Sequence, residues 1–246
     1  MELIVLFVGP GGSGKTVMAI NLGILMGRMG YNTLLVDGDI YLPDMTEYLD
    51  MGAVRVTLHT LLKDPLVEPE AALYKLREYG VSVLPGSKEL GQVVGAHTSL
   101  LIHVFEELSK EYALTFVDTP SGLPMDLLEL YEIATHQVVV LDVERAGRGE
   151  LPYTIHDQLE KYLFLDREER MEHGVILNNV QKVDPALIED YIEETFEVPV
   201  LGVVPYDPHV PESVSLRRPL IVEFPHSDAA IAIKDAGKVI ERWLFG

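Results

Sequence analysis

Residues 9–16 read Gly-Pro-Gly-Gly-Ser-Gly-Lys-Thr, which fits the G-x-x-x-x-G-K-[ST] pattern of a phosphate-binding loop in full. Glycines let successive backbone N–H groups turn toward an anion without Cβ clashes. A helix that starts at the end of the loop adds its positive N-terminal end. In such a loop Lys15 bridges β- and γ-phosphate oxygens, and the Thr16 hydroxyl ligates Mg²⁺. Gly11, Gly12, Ser13, Gly14, Lys15, Thr16 and Val17 are therefore the candidate nucleotide contacts. An ordinary glycine-rich turn has no use for the Lys-Thr pair.

A loop of this kind needs a carboxylate on the magnesium side, supplied by a neighbouring strand. Leu114-Thr115-Phe116-Val117 is a mostly apolar run that ends at Asp118, a Walker B strand whose Asp118 holds Mg²⁺ through water. Asp37-Gly38-Asp39 ends another apolar run. Two carboxylates two residues apart after a buried strand repel each other unless a cation or water needs them. One can face the metal while the other positions an attacking water; an Asx turn is the plainer alternative.

These residues need elements to hold them at the ends of strands. Short continuous apolar runs occur at Leu3–Val8, Thr33–Val36, Val81–Leu84, Leu114–Val117, Gln137–Leu141, Gly174–Leu177 and Val200–Val204. Runs apolar on both faces suit buried parallel strands. Between them lie helical patterns at roughly 15–29, 69–79, 97–111, 124–134, 150–165, 185–195 and 226–245. The alternation predicts an α/β fold of three layers, a mostly parallel twisted sheet flanked by helices on both faces. No linker, repeat or low-complexity tract divides residues 1–246, so a single domain is expected. In open sheets of this class ligands sit beyond the carboxyl ends of the strands, where Asp37, Asp118, Asp142 and Asn178 all fall.

Composition narrows the partners. The chain has 246 residues and a formal net charge of −20, from 19 Lys+Arg and 39 Asp+Glu. That acidity argues against a general nucleic-acid binder and against electrostatic docking on anionic lipid. The absence of cysteine removes disulfides, thiolate metal sites and Cys nucleophiles. No apolar run approaches the roughly 20 residues of a membrane span. The chain enters a strand-like run at once, without a basic region or cleavage site, so the cytoplasm is the expected compartment. The last helix ends Trp243-Leu244-Phe245, but its basic face is thin and packing on the sheet is expected. The histidines lack paired ligand spacing. The stretch Asp166–Glu172 reads as solvated charge. Tyr41–Pro43 and Pro85–Gln92 are switch or partner-binding loops, or plain connections.

The phosphate-binding loop, Asp-x-Asp, Asp118-Thr119-Pro120-Ser121-Gly122, a strand-end Asn and Leu201-Gly202-Val203-Val204-Pro205 occur in that order. Together they resemble the MinD/ParA family of SIMIBI-class P-loop ATPases, over nearly the whole chain from Leu3 to the last helix. The resemblance implies a P-loop NTPase fold, ATP or ADP with Mg²⁺ as cofactors, and a nucleotide-dependent molecular switch. It implies that Asp39 orients the hydrolytic water and that Lys15 acts with it in catalysis. Asp37 would lie near Mg²⁺ with Thr16 and Asp118, and residues 118–122 match the switch that follows the Walker B strand, here Leu114–Asp118. Leu201–Asp207, running on to Arg218-Pro219-Leu220-Ile221, is similar to the family's base-contacting loop, which makes Pro205 and Asp207 candidate contacts. A nucleotide-dependent homodimer and a protein partner are the implied outputs; the acidic surplus sets this chain apart from ParA-type DNA binders and membrane-docked MinD despite the shared core.

Base choice follows from hydrogen-bond chemistry. A guanine reader of the Asn-Lys-x-Asp type needs a carboxylate, whereas this chain reads Asn178-Asn179-Val180-Gln181. Asn178 offers an acceptor to the exocyclic amine of adenine, so ATP is expected over GTP. One departure from the family pattern matters. Its hallmark lysine occupies the first position of K-G-G-x-G-K-[ST], which here is Pro10. In the family that lysine reaches the partner subunit's nucleotide and stabilises transition-state charge. Arg145 and Arg148, just beyond the Asp142 strand end, are candidate substitutes in cis or in trans. The alternatives are an ATP-dependent ligase or phosphotransferase of dethiobiotin-synthetase type, and a nucleotide-binding scaffold with negligible turnover.

Overall fold

In the computed structural model the first apolar run is strand β1, Leu3–Val8, buried at every residue. Successive side chains of a strand point to opposite faces. Ile4, Leu6 and Val8 accordingly enter one core while Leu3, Val5 and Phe7 enter a second. One strand thus feeds two hydrophobic layers, which explains a run apolar throughout rather than alternating. The structure describes residues 2–122, 125–146, 151–166 and 170–246. Arg148, and Arg167 to Glu169 of the charged stretch, lie outside the described residues.

The remaining longer elements are α1 (Lys15–Met29), β2 (Thr33–Asp37), β3 (Tyr74–Leu76), β4 (Val81–Leu84), α2 (Leu101–Ser109) and β5 (Leu114–Asp118). They continue with β6 (His136–Asp142), α3 (Leu151–Leu163), β7 (Glu172–Val180), α4 (Pro185–Phe196), β8 (Val200–Pro205), α5 (His209–Ser215) and α6 (Asp228–Phe245). The strands form one eight-stranded sheet in the order β3-β4-β2-β5-β1-β6-β7-β8. All pair in parallel except the β3–β4 pair. Helices α1 and α6 cover the face carrying Phe7 and Phe116; α2, α3 and α4 cover the other. The three-layer α/β expectation is met.

Three local expectations fail. Residues 69–79 form a single 3₁₀ turn, Pro69–Ala72, followed by edge strand β3. The helical spacing there arises because β3 is half-covered and short, so its pattern carries too few residues to fix a period. Residues 125–132 wind as a 3₁₀ helix rather than an α-helix. Asp166 is buried rather than solvated. It accepts from the backbone N–H groups of Met171 and Arg170 and lies 3.3 Å from His173 Nε2, so it caps a turn at the foot of β7.

The C-terminal helix packs as expected. Ala229, Ala230, Ile233, Ile240 and Leu244 join the α1-side core. Phe245 stacks on Tyr31 with ring centroids 4.6 Å apart, and Trp243 meets His136 edge-on at 4.7 Å. No described helix is long and apolar enough to cross a membrane.

Candidate functional site

The carboxyl ends of β1, β2, β5, β6, β7 and β8 open on a cavity of about 470 Å³. Gly12, Gly14, Lys15, Thr16, Val17, Asp39, Asn178, Pro205 and Asp207 all line it. Residues spread over the whole sequence therefore converge on one hollow, as the parallel topology requires. β1 ends at Val8, and α1 begins at Lys15 with Gly14 as its N-cap in the left-handed region, φ 97°. Gly14 has no side chain to cap that helix end, which leaves its first-turn N–H groups and its positive end for an anion. Lys15 is buried, and its Nζ donates to the Gly9 and Pro10 carbonyls at 3.2 and 3.3 Å. Burial lowers the pKa of its ammonium, while the nearby carboxylates of Asp118 and Asp39 pull it back up.

β2 and β5 are neighbours, and their register sets Asp37 directly beside Asp118. Thr16 Oγ1 donates to Asp118 Oδ2 at 2.5 Å, and Met45 N donates to Asp37 Oδ2 at 2.9 Å. The other oxygen of each carboxylate, Oδ1, is buried and has no hydrogen-bond partner among the described residues. Burial, then the charge of the neighbour, pushes the Asp37 carboxyl well above its ordinary range. Burial likewise raises Asp118 to about 7, against the pull of the Thr16 hydroxyl and Lys15. Two buried acids with unpartnered oxygens beside a hydroxyl are costly as they stand. A divalent cation that keeps several waters and takes one or two carboxylates suits this donor set; a cage of protein ligands does not.

Asp39 follows at the strand mouth. Its Oδ1 accepts from Tyr41 N at 3.1 Å and Leu42 N at 2.9 Å, so the Asx-turn geometry is present and holds the carboxylate at the cavity. The loop is clamped from below by His59, which is buried. Its Nε2 lies 2.7 Å from the Ile40 carbonyl, and its Nδ1 accepts from Ser87 N at 3.0 Å. Those partners require the Nε2–H tautomer, and burial lowers the ring's pKa. Nothing in the local sequence marks His59, because its partners lie 19 and 28 residues away. The segment after β5 is stitched to the glycine-rich loop as well, with Gly122 N donating to Gly9 O at 3.2 Å.

On the opposite side Asn178 Nδ2 donates to Ser13 O at 2.8 Å. Its amide nitrogen is thus engaged with the loop, and its Oδ1 is the end left to accept. Pro205 and Tyr206 contribute the far wall. Asp207 lines the cavity too, but its carboxylate is taken by the backbone. Oδ1 accepts from His209 N at 2.9 Å and lies 2.7 Å from His209 Nδ1, while Oδ2 accepts from Ala229 N at 3.0 Å. Burial alone would raise its pKa; those donors bring it down to about 2. Asp207 therefore caps α5 and ties it to α6 rather than presenting free oxygens.

Residues 4–220 match the CobQ/CobB/MinD/ParA nucleotide binding domain, and the chain belongs to this family. It is thus a MinD/ParA-like member of the SIMIBI-class P-loop ATPases. Among curated relatives, an uncharacterized ATP-binding protein of Methanocaldococcus jannaschii is 30% identical over 233 residues, 94% of this chain and 85% of that protein. The antiactivator FleN of Pseudomonas aeruginosa is 24% identical, with 99% of this chain and 87% of FleN covered. Among solved structures, the septum site-determining protein MinD complexed with Mg-ADP from Pyrococcus horikoshii aligns at TM-score 0.87. That pair is 26% identical and covers 100% of this chain and 98% of the other. The cell division ATPase MinD of Pyrococcus furiosus aligns at TM-score 0.85 with 27% identity, covering 99% and 100%.

Proposed function

We propose that this chain is a magnesium-dependent ATP-binding switch that hydrolyses ATP and couples its nucleotide state to dimerisation or to capture of a protein partner. The observation that carries the reading is the pair of buried, unpartnered carboxylate oxygens of Asp37 and Asp118 beside the Thr16 hydroxyl, under an uncapped helix start. Bound ATP–Mg²⁺ would supply the scissile phosphoanhydride and the neutralising dication. In this reading the backbone N–H groups of residues 11–16 hold the phosphates, and Lys15 leaves the Gly9 and Pro10 carbonyls to meet them. Thr16, Asp37 and Asp118 hold Mg²⁺, directly or through its waters, and Asp39 orients the attacking water.

Asn178 Oδ1 would accept from the adenine amine, with Pro205 beside the base. Asp207 serves the same wall by fixing α5. The Mg-ADP bound to the archaeal MinD structure supports the choice of cofactor. The −20 charge favours a protein partner over nucleic acid or membrane, and the cytoplasm is the place of action proposed with it. The single eight-stranded sheet supports residues 1–246 working as one domain, in which loops 38–44 and 119–122, the latter joined to the glycine-rich loop at Gly9–Gly122, respond to the γ-phosphate.

Sedimentation with Mg-ADP and with a non-hydrolysable Mg-ATP analogue, alongside phosphate release, tests the proposal. A dimer with the ATP analogue, and phosphate release lost in Asp39→Ala, are expected. Tight binding without release would assign a scaffold. Release only on addition of a small-molecule acceptor would assign a ligase or phosphotransferase.

A further inference from the structure

The loop from Gly9 to Thr16 contains one cation, Lys15, yet a second cation is seated on it. Arg145 lies in the short helix Val143–Ala146 directly after β6. Its Nη1 donates to the Gly11 carbonyl at 2.9 Å. The guanidinium covers Gly12 so closely that a Cβ there would collide with Nη1. Gly12 has φ 74°, so both its backbone and the arginine demand glycine at this position.

The segment carrying Arg145 is pinned on three sides. Arg145 N donates to Asp142 Oδ1 at 2.9 Å, and Asn179 Nδ2 holds the same oxygen at 3.0 Å. Lys182 N donates to Glu144 Oε1 at 2.8 Å. A guanidinium carries five N–H donors in a fixed fork. Among the described residues the Gly11 carbonyl is the one acceptor for that fork, and none of their carboxylates pairs with it. A cation held in place beside a phosphate-binding loop, without a carboxylate to neutralise it, is suited to stabilising phosphoryl charge.

We propose that Arg145 acts in cis as an arginine finger, placed on the loop by the chain itself and supplying the cation that Pro10 cannot. The inference rests on the ATP reading of this cavity. In hydrolysis a water oxygen bonds to the γ-phosphorus as the bond from that phosphorus to the β–γ bridging oxygen breaks. The bond's electron pair stays on ADP, and a proton from the water passes to solvent alongside inorganic phosphate. From its seat on Gly11 and Gly12 at the cavity's edge, the Arg145 fork would turn toward the charge that builds up on the phosphoryl oxygens, while Lys15 and the loop N–H groups would hold them in the ground state.

The test compares the full chain with Arg145→Ala and Arg145→Lys. Arg145 is exposed, so without nucleotide each variant should melt within about 2 °C of the wild type. Calorimetry with Mg-ADP, with and without aluminium fluoride, reads transition-state affinity separately from turnover. Arg145→Ala should keep Mg-ADP affinity within about threefold and lose the tightening that aluminium fluoride gives the wild type. Its single-turnover phosphate release should be on the order of 10²–10³-fold slower, with Arg145→Lys in between. Mixing Arg145→Ala with Lys15→Ala should not restore release; restoration would overturn the placement in cis. Equal release and equal tightening in Arg145→Ala would overturn the inference and leave the ATP reading intact. A wild type that neither binds Mg-ATP nor tightens with aluminium fluoride would overturn both.

Discussion

Replacing Asp118 by Asn should stabilise the nucleotide-free protein at neutral pH while abolishing its response to Mg²⁺ and nucleotide. Asp118 is 2% exposed, and its Oδ1 has no hydrogen-bond partner among the described residues. Its carboxyl titrates at about 7 in the fold against an ordinary 3.8. Between those values the native state holds a proton that the unfolded chain has lost, so stability falls as pH rises. At about 1.4 kcal/mol per pH unit the loss reaches about 4 kcal/mol by pH 7. Asn has no charge to bury, keeps an acceptor for the Thr16 hydroxyl, and relieves the repulsion that raises Asp37.

The assay is thermal melting from pH 4.5 to 8.5 in a chelator, and again with Mg-ATP. For a chain of this size 4 kcal/mol corresponds to a rise on the order of 8–16 °C at pH 8, shrinking toward pH 4.5. With Mg-ATP the wild type should gain and Asp118→Asn should not. A variant that melts below the wild type at pH 8 in chelator, or one that keeps the wild-type pH slope, would refute the argument that this carboxylate is a buried charge awaiting a cation.

Other changes act on the same cavity. Lys15→Ala should lose the melting shift induced by Mg-ATP, because it removes the buried ammonium at the loop; an unchanged shift would displace the phosphate site. ATP should raise the melting temperature more than GTP in paired scans, and Asn178→Leu should narrow that gap; GTP ahead of ATP would overturn the base argument. Asp207→Asn should destabilise the fold by about 1–3 kcal/mol, since a charged acceptor of the His209 and Ala229 N–H groups is lost. With its folded pKa at about 2, the Asp207 contribution is present above pH 4 and lost as pH falls toward 2. Acid melting curves should therefore converge for wild type and variant at the low end.

Much of the site was legible from one dimension. Gly9–Thr16, Asp37, Asp39, Asp118 and Asn178 each end an apolar run, and parallel topology alone brings such ends to one edge. What could not be read were the hydrogen-bond commitments at that edge. Asp207 resembles a free strand-end acid in sequence, yet its oxygens cap α5 and α6. His59 had no local signal at all. Arg145 was one of two candidates by position, and only the fold sets it on the glycine loop, across 134 residues of chain.

The layers follow from local pattern, because a strand such as Leu3–Val8, apolar at every position, must be covered on both faces. It also determined the cradle, since Gly, Lys and Thr at those spacings carry their chemistry locally. Tertiary structure alone decided that Tyr74–Leu76 would be an antiparallel edge rather than helix, and that Asp166 would be buried rather than solvated. It also set Asp37 beside Asp118 with one oxygen of each left over. The physical reason is the same in each case: period and propensity are summed over neighbours in sequence, whereas desolvation and unmet hydrogen bonds depend on neighbours in space.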